Sequence, residues 1–437
     1  MKTPIYDFVS NYIETGCKRL HMPGHKGRVF LGCEPYDLTE VSGADELYEA
    51  AGIIAESEAN ATEIFGFGRT FYGAEGSSQA IKAMLYLVAA GQEGPLILAA
   101  RNVHKAFVYG CALNDIAVEW LYSETAGSVC QCSVSPAKLE AKLKIMKKLP
   151  AAVYVTSPDY LGNMQDIGGL AAVCDSFGVP LLVDNAHGAY LKFLPQSLHP
   201  LDCGAFMCCD SAHKTLPVLT GAAYLHLSKK AAVLYGEQVK KAMCLFGSTS
   251  PSYLILQSLD LCNRYLAAGY EEKLSASIAE IFQMKKALRD AGYKIVDSDP
   301  LKLTLTDLDG EAAAALLRKQ GVECEYADRN NLVLMFTPEN GREDFAAVKQ
   351  FFLSCKAKSL AGEKLVIAPL RQAMGIRQAV FAEWEIVPLA EAAGRICGTP
   401  LVSCPPAVPI AVSGELLTAE IIKVFSYYNI ERIAVVK

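Results

Sequence analysis

The sequence predicts an α/β protein with a mainly parallel sheet that is covered by helices on both faces. Short apolar runs alternate with segments of helical periodicity between residues 73 and 221, a βαβ rhythm typical of parallel sheets. Polar residues follow the ends of several predicted strands, which is where open α/β sheets bind ligands. Hydrophobic residues make up 51% of the chain and charged residues 20%, as in an ordinary globular protein.

The elements are predicted from hydrophobic periodicity and from the positions of Gly and Pro. Helices are expected over residues 3–20, 52–65, 80–90, 106–113, 135–149, 170–177, 253–270 and 275–291. Strands are expected over residues 95–99, 117–121, 151–156 and 181–183. A strand–helix–strand pattern over residues 293–336 predicts a smaller α/β region toward the C-terminus.

The length of 437 residues is sufficient for two or three domains with a large core. We expect an N-terminal segment (1–70), a large cofactor-binding domain (71–290), a small α/β domain (291–360) and a C-terminal segment (361–437).

Composition excludes several classes of function. The formal net charge is −6 and no run of Lys or Arg is present, so we expect no nucleic-acid partner. No apolar stretch approaches about 18 residues, so we expect no membrane span. Cys130 and Cys132 lack a second Cys/His pair at zinc spacing, so we expect no metal. Without a recognisable signal peptide, we expect reduced thiols and a cytoplasmic protein.

A phosphate-binding stretch is predicted at the start of one helix. The sequence GAEGSSQ at residues 73–79 leads directly into apolar helical residues. Gly76, Ser77 and Ser78 would expose backbone N–H groups and hydroxyls at the helix N-terminus, which favours phosphate binding.

Two later stretches supply further groups for a cofactor. A short apolar strand ends in Asp184, with His187 three residues later, and Lys214 follows a second apolar run. A phosphate site, a buried carboxylate and a lysine together predict pyridoxal 5′-phosphate (PLP). Lys214 would hold the aldehyde as a Schiff base, and Asp184 would keep the pyridine nitrogen protonated.

The motifs resemble those of the Orn/Lys/Arg decarboxylases, bacterial PLP-dependent enzymes that act on basic amino acids. The matching stretches are residues 3–7 (TPIYD), 21–27 (HMPGHKG), 37–40 (DLTE), 101–105 (RNVHK), 183–188 (VDNAHG), 211–216 (SAHKTL) and 248–253 (STSPSY). They cover nearly the whole chain in family order. The resemblance implies an aspartate aminotransferase-like fold (PLP fold type I), in the shorter form of the family without an N-terminal wing domain.

The resemblance also implies roles for the site residues. Lys214 would carry the Schiff base, Asp184 would pair with the pyridine nitrogen, and His104 would stack on the cofactor ring. His187 would lie near the ring oxygen. The phosphate would be held at Gly76 by Ser77, Ser78, Ser211 and His213.

The resemblance further implies a homodimer, or a higher homo-oligomer, with shared active sites. Ser248 and Thr249 would approach the neighbouring subunit's cofactor and complete its site.

The implied reaction is decarboxylation of arginine, lysine or ornithine to CO2 and an amine of polyamine biosynthesis. The substrate would displace Lys214 to form an external aldimine, and the electron pair left by CO2 would enter the pyridinium ring. His213 or Lys214 would then protonate the α-carbon. Two alternatives remain: another fold-type-I PLP enzyme, such as an aminotransferase or lyase, and a non-catalytic regulatory paralogue.

Four positions depart from the family pattern. Asn185 stands where the family usually has Glu, Gly221 where it has Gln, and Ala407 where it has Gly, within CPPAVP at residues 404–409. Thr399 stands where an acidic residue is expected. A basic side chain needs an acidic partner when it is buried, and the candidates for that role are Glu40, Asp45, Glu383 and Glu385.

Overall fold

The computed structural model describes residues 1–123, 127–355, 365, 368–400 and 407–437. The chain divides into two compact units. Unit 1 comprises Met1–Ala90 and Pro180–Glu272, and unit 2 comprises Gly91–Val179 and Lys273–Lys437. The four regions expected from the sequence stay a prediction. The expected boundary at residue 360 and residues 404–406 of the CPPAVP motif lie outside the described residues.

The helices and strands have well-defined bounds. The helices are α1 (Pro4–Glu14), α2 (Ile53–Phe65), α3 (Ser77–Ala89), α4 (Lys105–Leu113), α5 (Pro136–Ile145), α6 (Ile167–Ser176), α7 (Ala212–Thr215), α8 (Lys229–Tyr235), α9 (Val239–Cys244), α10 (Tyr253–Leu266), α11 (Tyr270–Asp290), α12 (Gly310–Arg318), α13 (Arg342–Ser354), α14 (Ile376–Phe381) and α15 (Ala419–Tyr427). The strands are β1 (Arg69–Gly73), β2 (Leu96–Ala100), β3 (Ala117–Leu121), β4 (Ala152–Thr156), β5 (Leu181–Asp184), β6 (Met207–Asp210), β7 (Ala223–Leu227), β8 (Lys294–Val296), β9 (Lys302–Thr306), β10 (Tyr326–Ala327), β11 (Asn331–Met335), β12 (Trp384–Pro388) and β13 (Arg432–Val436).

In unit 1, the strands lie in the order β1-β7-β6-β5. Strands β5 and β6 are parallel, with Asp184 paired with Cys209, whereas β7 is antiparallel to both β6 and β1. Every residue of β5 and β6 is buried, as expected for short apolar strands covered on both faces. Because the two strands are parallel, their last residues, Asp184 and Asp210, lie at the same edge of the sheet.

In unit 2, β2 lies between β3 and β4 and is parallel to both. A separate antiparallel sheet has the order β10-β11-β9-β8, and β12 pairs with β13. The predicted α/β class, with mostly parallel strands in the larger region and a smaller α/β region after it, is confirmed.

Several predicted helix boundaries are wrong by four residues or more. The helix expected over residues 3–20 ends at Glu14, because Gly16 takes a left-handed φ of 63° that terminates helices. The helix expected over residues 253–270 ends at Leu266, and the next helix begins at Tyr270. Among the helices of the described residues, none combines the length and the apolar character that crossing a bilayer requires.

Candidate active site

The predicted phosphate-binding stretch forms the N-terminus of α3. Ser77 is the first residue of this helix and Gly76 is its cap. The Ser211 hydroxyl donates to Ser77 Oγ at 2.7 Å, so two of the predicted phosphate-binding serines meet here, and Ser78 follows in the first turn. The helix N-terminus carries partial positive charge and unpaired N–H groups, which suit a phosphate.

Gly221 connects this helix start to the loop that follows α7. Its carbonyl oxygen accepts from the Gly76 N–H at 2.8 Å, and its φ is 98°. A Cβ at this position would lie 3.1 Å from the Ala74 carbonyl oxygen and from Ile255 Cδ1. Glycine therefore suits this backbone, which gives a local reason for the departure from the family's Gln.

Lys214 lies on the short helix α7, which follows β6. Its Nζ is 3.1 Å from His187 Nε2. An ammonium group has only donors, so His187 Nε2 accepts this hydrogen bond when Lys214 is charged. The structure thus brings together two residues that the sequence predicts for one site, although they are separated by 27 positions.

Asp184 is the last residue of β5 and is 2% exposed. Its Oδ1 accepts from the Ala186 N–H at 3.1 Å and lies 3.8 Å from the Cys209 sulfur. A carboxylate in such a buried position has the charge and the low-dielectric surroundings that stabilise a protonated pyridine nitrogen.

His213 is held through its ring. Its Nδ1 lies 3.0 Å from the Ala222 carbonyl oxygen, which also accepts from the His213 backbone N–H at 3.3 Å. Because a carbonyl oxygen only accepts, Nδ1 carries a proton.

His104 belongs to unit 2, where it follows the exit of β2 as predicted. It is the N-cap of α4, and its Nδ1 accepts from the Ala106 N–H at 3.1 Å. This contact fixes the orientation of a half-buried aromatic ring, for which the family resemblance implies a cofactor-stacking role.

Ser248 and Thr249 are exposed on unit 1. Ser248 Oγ accepts from the Ser250 N–H at 3.1 Å. Their predicted role in a neighbouring subunit's site stays a prediction.

The HMPGHKG loop at residues 21–27 makes contacts within the N-terminal part of unit 1. His25 Nε2 lies 3.2 Å from Asp37 Oδ2, and His25 Nδ1 accepts from the Gly27 N–H at 3.0 Å. His21 Nε2 lies 2.7 Å from the Tyr12 hydroxyl. Both histidines of the motif therefore have structural partners.

Three of the four candidate acids for the substrate's distal charge also have partners. Asp45 accepts from the backbone N–H groups of Gly52 and Ile54 at 2.8 and 3.0 Å, and although burial opposes it, such backbone donors lower the pKa of Asp45. The exposed carboxylates pair with nearby cations, Glu383 with Lys437 at 3.4 Å and Glu385 with Arg395 at 2.8 Å.

Sequence analysis missed a buried polar cluster in unit 1. Asp210, at the end of β6, accepts from Asn185 Nδ2 through Oδ1 at 2.7 Å. Its Oδ2 lies 3.2 Å from Nε2 of both His199 and His226. The available signal was a set of single polar residues in apolar strands, with Cys208 and Asp210 alternating onto one face of β6.

The cluster also sets the charge of Asp210. Burial alone raises the pKa of a carboxyl, but the two imidazoles facing Asp210 lower its pKa below the usual range. Burial lowers the pKa of His226, although Asp210 opposes this shift.

A PLP enzyme of this kind needs a lysine for the aldehyde and a carboxylate for the pyridine nitrogen, and the chain has the fold of the fold-type-I PLP enzymes. It belongs to the Orn/Lys/Arg decarboxylase family. The family model of the Orn/Lys/Arg decarboxylase major domain matches residues 3–306, and the model of the family's C-terminal domain matches residues 360–434. The protein is therefore a PLP-dependent decarboxylase of a basic amino acid.

Curated relatives and solved structures agree with this assignment. An arginine decarboxylase from Bacillus subtilis is 27% identical, over 96% of this chain and 92% of that relative. An arginine decarboxylase from Halalkalibacterium halodurans is 28% identical, over 95% of this chain and 91% of that relative. Lysine decarboxylase A from Pseudomonas aeruginosa superimposes with a TM-score of 0.81 at 18% identity, over 99% of this chain and 80% of that chain. The last comparison shows the fold.

Proposed function

We propose that the chain decarboxylates arginine to agmatine and CO2, a step of polyamine biosynthesis. The two relatives described above are named arginine decarboxylases and match more than nine-tenths of this chain. Lysine and ornithine are the alternative substrates, and a comparison of CO2 release from the three amino acids separates them.

The observation that carries the catalytic assignment is the contact of Lys214 Nζ with His187 Nε2 at 3.1 Å. In this proposal Lys214 holds PLP covalently through its ε-amine. His187 keeps this amine in place and accepts one of its protons, so a proton can pass between the two side chains.

The remaining groups bind and orient the cofactor. Bound PLP supplies an electron sink for the electron pair that stays on the α-carbon when CO2 leaves. Asp184 stabilises the proton on the ring nitrogen, and His104 stacks on the ring. The phosphate is held at the N-terminus of α3 by Ser77, Ser78, Ser211 and His213.

The α-carbon must then regain a proton. His213 and Lys214 are the proposed donors, since both lie on α7. Their position on one short helix means that a single local movement changes the reach of both groups.

We also propose that the active form is a homodimer to which Ser248 and Thr249 contribute across the interface. Three apolar side chains near the HMPGHKG loop support an interface, because Leu20, Phe30 and Leu31 are 94%, 78% and 90% exposed. Contiguous exposed apolar surface marks interaction sites, and Phe30 and Leu31 are adjacent in the chain. Sedimentation of wild type and of a Phe30→Glu/Leu31→Glu variant tests this; a wild-type monomer would contradict the dimer.

The decisive experiment measures both cofactor binding and CO2 release. Purified protein with PLP should show visible absorbance from the lysine-bound cofactor and release CO2 from arginine faster than from lysine or ornithine. Lys214→Ala should lose both signals. Lys229→Ala is the matched control, since Lys229 is an exposed lysine at the start of α8 in the same unit.

Each other outcome changes the proposal in a defined way. CO2 release from lysine alone or from ornithine alone would show that this amino acid, and not arginine, is the substrate. Absorbance without CO2 release from any of the three would favour an aminotransferase, a lyase or a regulatory role. Absorbance that persists in Lys214→Ala would contradict the assignment of Lys214.

A further inference from the structure

Unit 1 contains a buried anion that the proposed reaction does not use. Asp210 has no exposed surface, and neither do its partners Asn185, His199 and His226. The four side chains come from β6, from the turn after β5, from the loop before β6 and from β7. A cluster assembled from so many segments holds those segments in a fixed arrangement.

His199, Cys208 and Asp210 are residue types that bind metals, and the Cys208 sulfur is 3.8 Å from His199 Nε2. The hydrogen bonds of the cluster instead favour a network in which Asp210 is the acceptor. The Leu201 backbone N–H donates to His199 Nδ1 at 3.3 Å, so that nitrogen is unprotonated and the ring proton is on Nε2. A protonated Nε2 has no lone pair for a metal and donates to Asp210 instead.

His226 has the corresponding arrangement. Its Nε2 faces Asp210 Oδ2, and its Nδ1 lies 2.9 Å from the Thr70 hydroxyl. A carboxylate oxygen accepts, so Nε2 again carries the proton and Thr70 can donate to Nδ1. Asp210 is therefore an acceptor for three side-chain donors, two imidazoles and the Asn185 amide.

Asn185 connects this cluster to the turn that carries Asp184 and His187. Its backbone N–H donates to the Cys209 carbonyl at 3.0 Å, and its own carbonyl accepts from the Gly188 N–H at 2.8 Å. A Cβ on Gly188 would lie only 2.1 Å from Asn185 Oδ1. Both the backbone and the side chain of Asn185 are thus fixed, one residue after Asp184 and two residues before His187.

We propose that Asp210 and Asn185 are positioning residues for the cofactor. Their hydrogen bond holds the turn at residues 184–188 so that Asp184 and His187 keep the orientations on which PLP binding depends. The proposal rests on the assignment of Asp184 and His187 to the PLP site. It also gives a role to Asn185, a position where this chain departs from its family.

The test replaces the amide by a carboxylate at nearly the same volume. In Asn185→Asp, two carboxylates would lie at hydrogen-bond distance, where they repel each other when both are ionised. The turn should shift to separate them. At pH 8 we expect the Kd for PLP to rise at least about 10-fold and the visible absorbance of bound PLP to change in position or pH midpoint.

Exchange of the two groups should restore binding. In the double variant Asn185→Asp/Asp210→Asn, a carboxylate again faces an amide, and the amide oxygen can accept from both imidazoles. We expect the Kd for PLP to return to within about 3-fold of wild type, because the hydrogen bond is preserved.

Two measurements separate positioning from general stabilisation. The thermal midpoint of each apo-protein reports folding, and Asn263→Asp supplies a matched buried amide in the same unit, on α10. A lower midpoint with unchanged Kd and absorbance in Asn185→Asp would overturn the proposal. If that variant fails to fold, the double variant decides: folded protein with weak PLP binding would overturn it, and wild-type binding would support it. Wild type that binds PLP without releasing CO2 would contradict the proposed decarboxylation but not this proposal, because this test measures PLP affinity and absorbance.

Discussion

Asp210 in unit 1 and Glu415 in unit 2 are both completely buried carboxylates, and they are held in different ways. Asp210 in unit 1 accepts from three side-chain donors, and its pKa is lowered. Glu415 in unit 2 accepts through Oε2 from Arg101 at 3.1 Å and from the Val412 N–H at 2.7 Å. Its Oε1 has no hydrogen-bond partner among the described residues. Burial raises the pKa of Glu415, and Arg101 offsets this effect only in part.

The comparison shows that two imidazoles facing a buried carboxyl lower its pKa further than a single arginine does. Donors to both oxygens replace the lost water at Asp210, whereas an arginine directed at one oxygen leaves part of the desolvation cost at Glu415. The arginine has a further role, because its guanidinium also donates to the carbonyls of Pro409 and Ile410 at 2.9 and 3.1 Å. Arg101 thus ties the segment after residue 406 to the loop that carries His104.

The largest effect on stability is expected from removing Arg101, the counter-ion of Glu415 in unit 2. Arg101→Met should lower the free energy of unfolding by about 3–5 kcal/mol, because it leaves the Glu415 charge buried without its cation. Urea unfolding followed by fluorescence measures this loss. The effect should exceed that of Asp210→Asn, since the Asn185 amide can rotate toward the new amide.

The control for this prediction removes both charges. Arg101→Met/Glu415→Leu should recover part of the stability, because no uncompensated charge remains. Recovery should be incomplete, since the Pro409 and Ile410 carbonyls still lose their donor. A double variant as unstable as the single one would show that the carbonyl contacts, and not the ion pair, dominate.

A pH series sharpens the comparison, because the two acids should respond in opposite directions. The lowered pKa of Asp210 contributes stability above the unfolded pKa of about 4, and this contribution is lost as the pH falls below that value. The raised pKa of Glu415 has the opposite effect, so its protonation stabilises the fold as the pH falls from neutral toward about 4.5.

The measurement compares each variant with wild type from pH 7 to pH 4 by urea unfolding. The stability difference between wild type and Asp210→Asn should be constant at high pH and shrink near pH 4. The difference between wild type and Glu415→Gln should shift in favour of wild type as the pH falls. Equal slopes for the two variants would contradict the distinction drawn here.

The sequence predicted the groups that belong to local motifs. Lys214, Asp184 and the serines at the start of α3 stand next to strand ends or helix starts, which periodicity identifies. The α/β class and most strands followed from the same patterns. Helix ends were less accurate, because the left-handed turn at Gly16 ends α1 before its apolar pattern does.

The groups that depend on strand register could not be predicted. Asp210 meets His226 because β6 and β7 are antiparallel, with Cys208 opposite His226. Arg101 and Glu415 are 314 positions apart. Neither pairing has a local sequence signal, because each partner alone resembles an ordinary polar residue beside an apolar run.

The smallest expected effect concerns the segment that Arg101 holds. Ala407 is nearly buried, has a φ of 57°, and its carbonyl accepts from the Lys105 N–H at 2.9 Å. A left-handed backbone costs a non-glycine residue about 1–2 kcal/mol, whereas glycine loses about 0.5–1 kcal/mol more in conformational entropy. Ala407→Gly should therefore raise the free energy of unfolding by about 0.5 kcal/mol, which differential scanning calorimetry would register as a small rise in Tm.

The matched control is Ala393→Gly, at an exposed position whose φ is not positive, and it should lower the Tm. Equal changes in both variants would show that backbone strain at Ala407 does not limit the stability of unit 2.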